Sequence, residues 1–195
     1  LDPWAMDKAQ IRTLLRSLSG DADIIVIEGV MGLFDGPDGA AGSTADLASS
    51  LGLPVILAVD ARHQAQSIAA LVHGFSTFRP DVSVAGVLLN RVASDRHAAI
   101  LHGALGHKVL GTLRHDDSLV LPSRHLGLVQ AEENQDLETF IETAALAVAR
   151  ETVLDRILEI ASQLVHESVI REALPPLGQR IAIARDAAFA FAYPH

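Results

Sequence analysis

Cysteine is missing from the 195 residues of this chain, and aromatic residues make up only 4% of it. Without cysteine the chain can form neither disulfides nor thiolate metal sites, and it cannot supply a cysteine nucleophile. The same absence fits a cytoplasmic protein. Since 49% of the residues are apolar, we expect a core built from alanine, valine, isoleucine and leucine, as in helix-covered parallel sheets.

Positive charge is also scarce in this chain. There are 15 basic and 24 acidic side chains, and the net charge of −9 argues against nucleic acid or an anionic membrane as a partner. No apolar run approaches the roughly 20 residues that a membrane-spanning helix needs. The only lysines are Lys8 and Lys108, and neither follows a glycine, so the sequence contains no phosphate-binding loop of the Gly-Lys-[Ser/Thr] kind.

Apolar and polar residues follow one another in a rhythm of helices and strands. Met6 to Leu18 carries apolar residues at helical spacing, and Ser43 with Asp46 three residues later resembles a helix-capping box. The predicted helices cover 6–18, 43–51, 64–78 and 95–105, and the predicted strands cover 24–28, 55–59, 83–89 and 108–113. This order predicts the α/β class, with a doubly wound, mostly parallel sheet and right-handed crossovers.

Beyond residue 113 the character of the sequence changes. A polar, irregular stretch leads to two amphipathic helices predicted over 137–148 and 153–165, which we expect to pack on the sheet or on a partner. The segment 175–179 begins with two prolines and indicates a linker. Residues 180–184 then predict the first strand of a second domain. The expected division of the chain is 1–174, the linker 175–179, and 180–195.

The apolar run from Ile24 to Ile27 ends in a carboxylate, a glycine-rich turn and a second carboxylate. Its β-branched residues predict a strand buried on both faces, and ligands of open α/β sheets bind just outside the carboxyl ends of such strands. The glycines of the turn allow Asp35 to fold back toward Glu28. Two carboxylates beside one crevice suit Mg²⁺, which takes oxygen ligands together with water and phosphates. The alternative is that Glu28 ends a strand and Asp35 belongs to an ordinary turn.

The run over 28–36, Glu-Gly-Val-Met-Gly-Leu-Phe-Asp-Gly, resembles the signature of the cobyrinic acid a,c-diamide synthase family. These are glutamine-dependent amidases of corrinoid biosynthesis and include the hydrogenobyrinic acid enzymes. Further segments resemble the family in the same order, at 1–4, 42–48, 85–92, 124–128 and 182–189. The resemblance therefore covers nearly the whole chain, and it implies the sheet of the P-loop NTPase and dethiobiotin synthetase-like proteins.

The resemblance implies a reaction for the full-length family. ATP activates the a and c acetate carboxylates of cobyrinic or hydrogenobyrinic acid as acyl phosphates, and ammonia from glutamine displaces the phosphate, in cobalamin biosynthesis. The family's phosphate loop lies upstream of the segment at 1–4, and its glutaminase needs a cysteine. We therefore expect 1–174 to be an incomplete ATP-binding amidoligase domain and 180–195 to begin a class I glutamine amidotransferase-like domain. ATP turnover by residues 1–195 alone is not expected.

The resemblance also implies roles for individual residues. Glu28 and Asp35 match the acidic positions of the signature, and we expect them to bind Mg²⁺ with ATP or to organise phosphoryl transfer. Asn90 matches the position that reads adenine in dethiobiotin synthetase-like proteins, with an asparagine that caps its own turn as the alternative. Arg91 either meets a phosphate or forms a surface ion pair. Asp60 ends a strand on the same edge, where it either joins this network or lies at a helix N-terminus.

Substrate binding is expected from two other family-like segments. Asp2 and Trp4 lie in a segment that we expect to approach the corrinoid, with packing as the alternative role of the tryptophan. Arg124 and His125 are candidates for binding the carboxylates of the substrate, with a solvated loop as the alternative. A homodimer is a candidate assembly.

Two other classes of function compete with the ligase hypothesis. One is a non-catalytic module that binds nucleotide or corrinoid, and the other is an ATPase switch of the partitioning-protein type, which shares the same sheet. The acidic signature at 28–36 and the segment 124–128 favour the ligase over the switch. A Gly-Lys-[Ser/Thr] loop in the sequence upstream would favour the ligase over the binding module.

Overall fold

The computed structural model describes residues 1–20, 22–38, 41–121, 123–124, 127–128, 131–133, 136–163, 178–186 and 189. Within these residues the helices are α1 (Lys8–Ser19), α2 (Thr44–Leu51), α3 (Ile68–Thr77), α4 (Asp95–Leu105), α5 (Leu137–Glu151) and α6 (Leu154–Ile160). The strands are β1 (Val55–Asp60), β2 (Val84–Val92), β3 (Val109–Arg114), β4 (Ser123–Arg124) and β5 (Gly127–Leu128). Short 3₁₀ helices cover Gly106–Lys108, Asp117–Leu119 and Ala131–Glu133.

The strands β1, β2 and β3 form one parallel sheet in that order. The helices α3 and α4 connect them in the chain. The register pairs Val59 with Leu89 and Asp60 with Asn90, so β1 and β2 finish side by side. The predicted α/β class with a parallel sheet is therefore confirmed, and the strands predicted over 55–59, 83–89 and 108–113 all form.

The core of this sheet is aliphatic, as the composition predicts. Val87, Leu89 and Leu101 are fully buried, and the cluster around them joins the three strands to α3 and α4. Full burial of one such side chain contributes about 1.5–3 kcal/mol of hydrophobic stabilisation. The sheet region therefore has a closed core of its own.

The helices α1 and α2 pack on each other through a second apolar cluster. Ile11 and Leu15 of α1 are buried against the apolar face of α2. The predicted capping box is present at the start of α2, where the Ser43 side chain accepts from the Asp46 N–H and the Asp46 side chain accepts from the Ser43 N–H. Local sequence signals thus place the start of α2 correctly.

The strand predicted over 24–28 is not formed, which corrects the expectation of a strand buried on both faces. Ile25 and Ile27 pack against the α1–α2 cluster, but Ile24 is 44% and Val26 is 87% exposed. The segment is therefore covered on one face only. No strand among the described residues pairs with it, and an isolated extended segment cannot satisfy its own backbone N–H and C=O groups. Burial on both faces needs neighbouring strands, which the residue pattern alone cannot supply.

The helices α5 and α6 lie against the edge strand β3. Thr152, between the two helices, forms a bridge with Gly111 of β3. Arg156 of α6 donates from Nη1 to the Val109 carbonyl at 3.2 Å. The sheet is thus the surface on which these predicted helices pack, although none of their described side chains is fully buried.

The strand predicted over 180–184 is not formed either. Residues 178–186 are described and contain no strand, and Ile181 and Ile183 are exposed. As at 24–28, no described strand lies beside the segment to accept its hydrogen bonds. The linker at 175–179 lies outside the described residues except for 178 and 179, so the domain division stays a prediction. Among the described helices, none combines the length and the apolarity needed to cross a membrane.

Candidate functional site

The glycine-rich loop at 28–36 folds onto the first residues of α2. A Cβ added to Gly29 would stand 2.7 Å from Thr44 Oγ1, and one added to Gly36 would stand 3.0 Å from the Ser43 backbone nitrogen. A larger residue at Gly29 would force the Thr44 side chain to shift, and one at Gly36 would crowd the Ser43 backbone. The two carboxylates of the loop are the chain neighbours of these glycines. Each acidic residue is therefore adjacent in sequence to a glycine that packs on Ser43 or Thr44 at the start of the helix.

Glu28 and Asp35, the carboxylates of this loop, are both exposed. The Asp35 N–H donates to the Gly32 carbonyl at 3.0 Å, which closes a turn. The Asp35 carboxylate lies over Gly32. Both carboxylates are thus exposed, in a loop that packs on the first turn of α2.

These carboxylates fit Mg²⁺ only together with ligands from outside the protein. Among the described residues, no group of three or more histidine, cysteine, aspartate or glutamate side chains is arranged to hold a metal ion. In phosphate-transfer sites Mg²⁺ usually takes one or two carboxylates, several waters and substrate phosphates. The donor set of Glu28 and Asp35 fits that use and does not form a closed structural metal site.

Asp46 anchors the start of α2 through both of its carboxylate oxygens. Its Oδ2 accepts from the N–H groups of Gly42 (2.9 Å) and Ser43 (3.0 Å) and from the Ser43 hydroxyl (2.8 Å). Its Oδ1 accepts from Arg79 Nη1 at 2.6 Å, while Arg79 Nε and Nη2 donate to Asp81. Partial burial opposes ionisation, but the hydrogen bonds from Gly42, Arg79 and Ser43 outweigh it and hold the pKa of the Asp46 carboxyl well below its usual value.

The segment of Asp2 and Trp4 lies close to the same loop. Asp2 Oδ1 accepts from the N–H groups of Trp4 (3.0 Å) and Ala5 (3.2 Å), so this carboxylate caps its own turn. The Trp4 side chain is exposed, and its Cβ lies beside Gly42. The structure therefore brings Trp4 to the residue that precedes Ser43.

An apolar groove of about 360 Å³ lies beside Asp35. It is formed by the loop residues 32–35, by a face of α3 that includes Phe75, and by Phe78, the residue that follows α3. Phe34 stacks on Phe75 with ring centroids 5.6 Å apart and meets Phe78 at 4.8 Å. Since Phe78 is exposed, the groove has an aromatic rim.

Asp60 and Arg91 form an ion pair at the carboxyl ends of β1 and β2. Arg91 Nη1 donates to Asp60 Oδ2 at 2.9 Å. This is the surface ion pair, one of the two roles that the sequence allowed for Arg91. The Arg62 N–H, together with the charge of Arg91, lowers the pKa of the Asp60 carboxyl. Arg91 also has a left-handed backbone with φ of 60°, which is uncommon for a residue that carries a side chain.

Asn90 uses its side-chain oxygen within its own turn. Oδ1 accepts from the Arg91 N–H at 2.9 Å, which is the turn-capping arrangement named as the alternative. Because a backbone N–H can only donate, this bond determines which end of the amide faces Arg91. The NH₂ group has no partner among the described residues, and one oxygen lone pair remains. Asn90 can therefore still meet the edge of a base.

The acidic loop and the Asn90 group are located at different ends of the strands. Leu33 and Phe34 of the loop belong to a cluster with Val84, the first residue of β2. Asn90 and Arg91 lie near the other end of β2. Since this length of strand spans about 20 Å, a ligand that contacts both groups must extend along the sheet.

The last two candidate residues are Arg124, of which only the backbone is described, and His125. Arg124 pairs with Gly127 in the β4–β5 ladder. His125 lies outside the described residues. Binding of substrate carboxylates by these residues stays a prediction.

Sequence reasoning missed Arg79 and the aromatic groove. A single arginine between a helix and a strand gives no local signal, because its partner Asp46 lies 33 residues away. The groove did leave a signal. Phe75 and Phe78 are three residues apart, a spacing that places two side chains on one helix face, but such pairs are usual in cores as well.

Comparisons with known proteins support the resemblance. A family model described as an AAA domain matches residues 2–123. The chain is 52% identical to hydrogenobyrinate a,c-diamide synthase of Brucella anthropi over 201 aligned positions, 49% identical to that of Rhizobium meliloti over 198, and 43% identical to that of Mesorhizobium japonicum over 202. Each match covers 100% of this chain and 46% of the relative, so the chain spans less than half the length of these curated proteins. No solved structure matches it.

The family resemblance derived from the motif at 28–36 and its companion segments is confirmed by these matches. The AAA domain model alone covers more than half of the chain. The chain therefore belongs to the AAA domain family, and along its whole length it is similar to one part of the hydrogenobyrinate a,c-diamide synthases.

Proposed function

We propose that the full-length protein containing this chain is an ATP- and glutamine-dependent ligase that amidates the a and c acetate side chains of cobyrinic or hydrogenobyrinic acid. In this proposal the chain handles the phosphates of the nucleotide. The observation that carries the proposal is that the glycines next to Glu28 and Asp35 pack against two adjacent residues, Gly29 against Thr44 and Gly36 against Ser43. The 52% identity to a hydrogenobyrinate a,c-diamide synthase and the membership of the AAA domain family support it.

The proposed reaction has two steps. An oxygen of the substrate carboxylate attacks the γ-phosphorus of ATP, and the acyl phosphate forms as ADP leaves. Ammonia then attacks the acyl carbon, the amide bond forms, phosphate leaves and a proton passes to water. Glu28 and Asp35 would hold Mg²⁺, which neutralises charge on the phosphate oxygens when bound. The contribution of the protein is positioning, since the loop is packed against α2 before the nucleotide arrives.

Asn90 and Arg91 are proposed to meet the other end of the nucleotide. The NH₂ group of Asn90 would donate to the adenine ring, while Arg91 exchanges Asp60 for a phosphate or keeps its ion pair. Because about 20 Å of strand separates this group from the anchor of the acidic loop, only an extended nucleotide contacts both. An Asn90→Ala variant with unchanged ATP affinity would exclude Asn90 from the nucleotide site.

Other parts of the full-length protein must complete the activity. The sequence has no Gly-Lys-[Ser/Thr] loop and no cysteine, and its relatives are about twice as long. We assign the phosphate loop and the glutaminase nucleophile to those other parts, and corrinoid binding to Asp2, Trp4, Arg124 and His125. A cytoplasmic location and a homodimeric assembly remain part of the proposal, and size-exclusion chromatography tests the assembly.

An amidation assay on the full-length protein tests this function, with hydrogenobyrinic acid, ATP, glutamine and Mg²⁺ as reactants. Glu28→Gln and Asp35→Asn should each lower kcat by about 100-fold, because each removes a charge aimed at the transferred phosphate. Asp38→Asn is the matched control, since Asp38 is an exposed acid of the same region with no partner among the described residues. Full activity of both site variants would overturn the assignment. Binding of ATP and corrinoid by the wild type without amidation would favour a binding module.

A further inference from the structure

We propose that Arg79 and Asp46 form a clamp that positions the acidic loop for Mg²⁺ and ATP. The inference rests on the function proposed above for Glu28 and Asp35. Neither clamp residue contacts the nucleotide in this proposal. Both act through residues 42–45 at the start of α2, and are therefore positioning residues.

The first link is the fixed guanidinium of Arg79. The residue lies in the turn between α3 and β2, where Nε donates to Asp81 Oδ1 at 3.1 Å and Nη2 donates to Asp81 Oδ2. This bidentate contact leaves Nη1 to donate to Asp46 Oδ1 at 2.6 Å. The Arg79 and Asp46 side chains are only 30% and 27% exposed. Such partly buried, two-sided contacts hold an arginine more firmly than an exposed single contact does.

The second link runs from Asp46 to the backbone that precedes α2. With Oδ1 held by Arg79, Oδ2 accepts from the N–H groups of Gly42 and Ser43 at 2.9 and 3.0 Å. Ser43 is itself buried. The position of these two residues thus depends on a carboxylate that is fixed from outside the helix.

The third link joins residues 43–45 to the acidic loop at three points. Thr44 contacts Gly29 near the start of the loop, and Ser43 contacts Gly36 at its end. Between them, the Ala45 N–H donates to the Leu33 carbonyl at 2.8 Å. A shift at the start of α2 is therefore passed to both ends of the loop, and with them to its two carboxylates.

A helix cap alone does not account for this arrangement. The capping box needs only Ser43 and Asp46, whereas Arg79 comes from another connection 33 residues away. A purely structural role predicts lower stability with unchanged Mg²⁺ affinity. A positioning role predicts weaker Mg²⁺ binding in protein that remains folded, because displaced carboxylates can no longer share one ion.

The test measures amidation by the full-length enzyme against Mg²⁺ concentration at saturating ATP. Arg79→Met should raise the Mg²⁺ concentration of half-saturation about tenfold, with kcat at saturating Mg²⁺ within about threefold of the wild type. Arg79→Lys keeps a positive charge beside Asp46 but cannot also make the bidentate contact with Asp81, so it should recover only part of the loss. Arg96→Met is the matched control, since Arg96 is exposed on α4 and has no partner among the described residues. It should leave the half-saturation unchanged.

A second measurement does not depend on activity. Hydrogen exchange at the Gly42 and Ser43 amides should be faster in Arg79→Met than in the wild type, because their acceptor Asp46 loses its outer anchor. Asp46→Asn should show both effects, and if it fails to fold, Arg79→Met carries the test because it leaves the capping box intact. Either an unchanged half-saturation or an unchanged exchange in Arg79→Met would overturn the clamp.

The two proposals fail in different ways. If Glu28→Gln and Asp35→Asn raise the Mg²⁺ half-saturation while Arg79→Met does not, the clamp is wrong and the function stands. If neither Glu28→Gln nor Asp35→Asn changes it, the proposed function of the loop is wrong, and the clamp as a device for positioning that site is overturned with it.

Discussion

Two segments of similar composition, 24–28 and 55–60, reach different structural states. Both are runs of aliphatic residues that end in an acid. The second pairs with β2 from Val55 to Asp60. The first pairs with no described strand, and it exposes Val26 at 87%. An aliphatic pattern therefore marks a segment that can become a strand, whereas neighbouring strands decide whether it does.

The same contrast separates the two halves of the candidate site. Asn90 lies near the end of a strand that is paired on both sides. Glu28 follows a segment that is held on one face only, and its loop is held by packing against α2. Regions with fewer buried contacts open locally at lower cost. The acidic half of the site therefore depends on specific anchors such as Arg79, while the Asn90 half depends on the sheet.

A valine-to-alanine substitution in each segment should give the largest difference in the free energy of unfolding. Val59→Ala should lower the free energy of unfolding by about 2 kcal/mol, because it removes two methyl groups from the closed core, where Val59 is only 6% exposed. Val26→Ala should change it by less than about 0.5 kcal/mol. Urea unfolding of the 195-residue chain measures both. Equal losses of unfolding free energy would mean that the side chains of 24–28 are buried as fully as those of β1.

Acid should weaken the anchor of α2 while the sheet core is unaffected. Hydrogen bonds from Gly42 and Arg79 outweigh the partial burial of Asp46 and lower the pKa of its carboxyl when folded, whereas an unfolded aspartate has a pKa of about 3.9. Its contribution to stability is therefore complete above that pH and is lost as the pH falls toward the folded pKa. Between about pH 5 and about pH 3 the wild type should lose about 1 kcal/mol more than Asp46→Asn.

The measurement is urea unfolding of both proteins at each pH, with Asp38→Asn as the control that should follow the wild type. Parallel stability curves for the wild type and Asp46→Asn would show that the hydrogen bonds of this carboxylate do not stabilise the fold.

The smallest effect on stability is expected at Arg91. Arg91→Gly removes an exposed ion pair with Asp60, worth less than about 1 kcal/mol, and relieves the left-handed backbone, where glycine is favoured by a similar amount. The free energy of unfolding should thus change by less than about 0.5 kcal/mol. A large loss in urea unfolding would show that the strands depend on this pair.

Much of the fold could be predicted from local pattern. The strands β1, β2 and β3 form as predicted because each aliphatic run has a neighbour in the same parallel sheet. The start of α2 follows from the Ser43–Asp46 capping box, whose signal is local. The state of 24–28 could not be predicted, because it depends on which strands lie beside it rather than on its own residues.

The candidate site shows the same division. The glycine spacing predicted a loop that folds on itself, and the structure packs Gly29 and Gly36 against Thr44 and Ser43 at the start of α2. The contact of Arg79 with Asp46 joins residues far apart in sequence, so only the fold reveals it. Whether Glu28 and Asp35 bind Mg²⁺ and ATP stays a prediction.

The most direct test of the central claim is calorimetric titration of the full-length protein with ATP, with and without Mg²⁺. If Glu28 and Asp35 hold the ion beside the phosphates, Mg²⁺ should strengthen ATP binding by the wild type and by Asp38→Asn by about tenfold or more. Most of that gain should be absent from the double variant Glu28→Gln, Asp35→Asn. An equal Mg²⁺ effect in the wild type and the double variant would contradict the account.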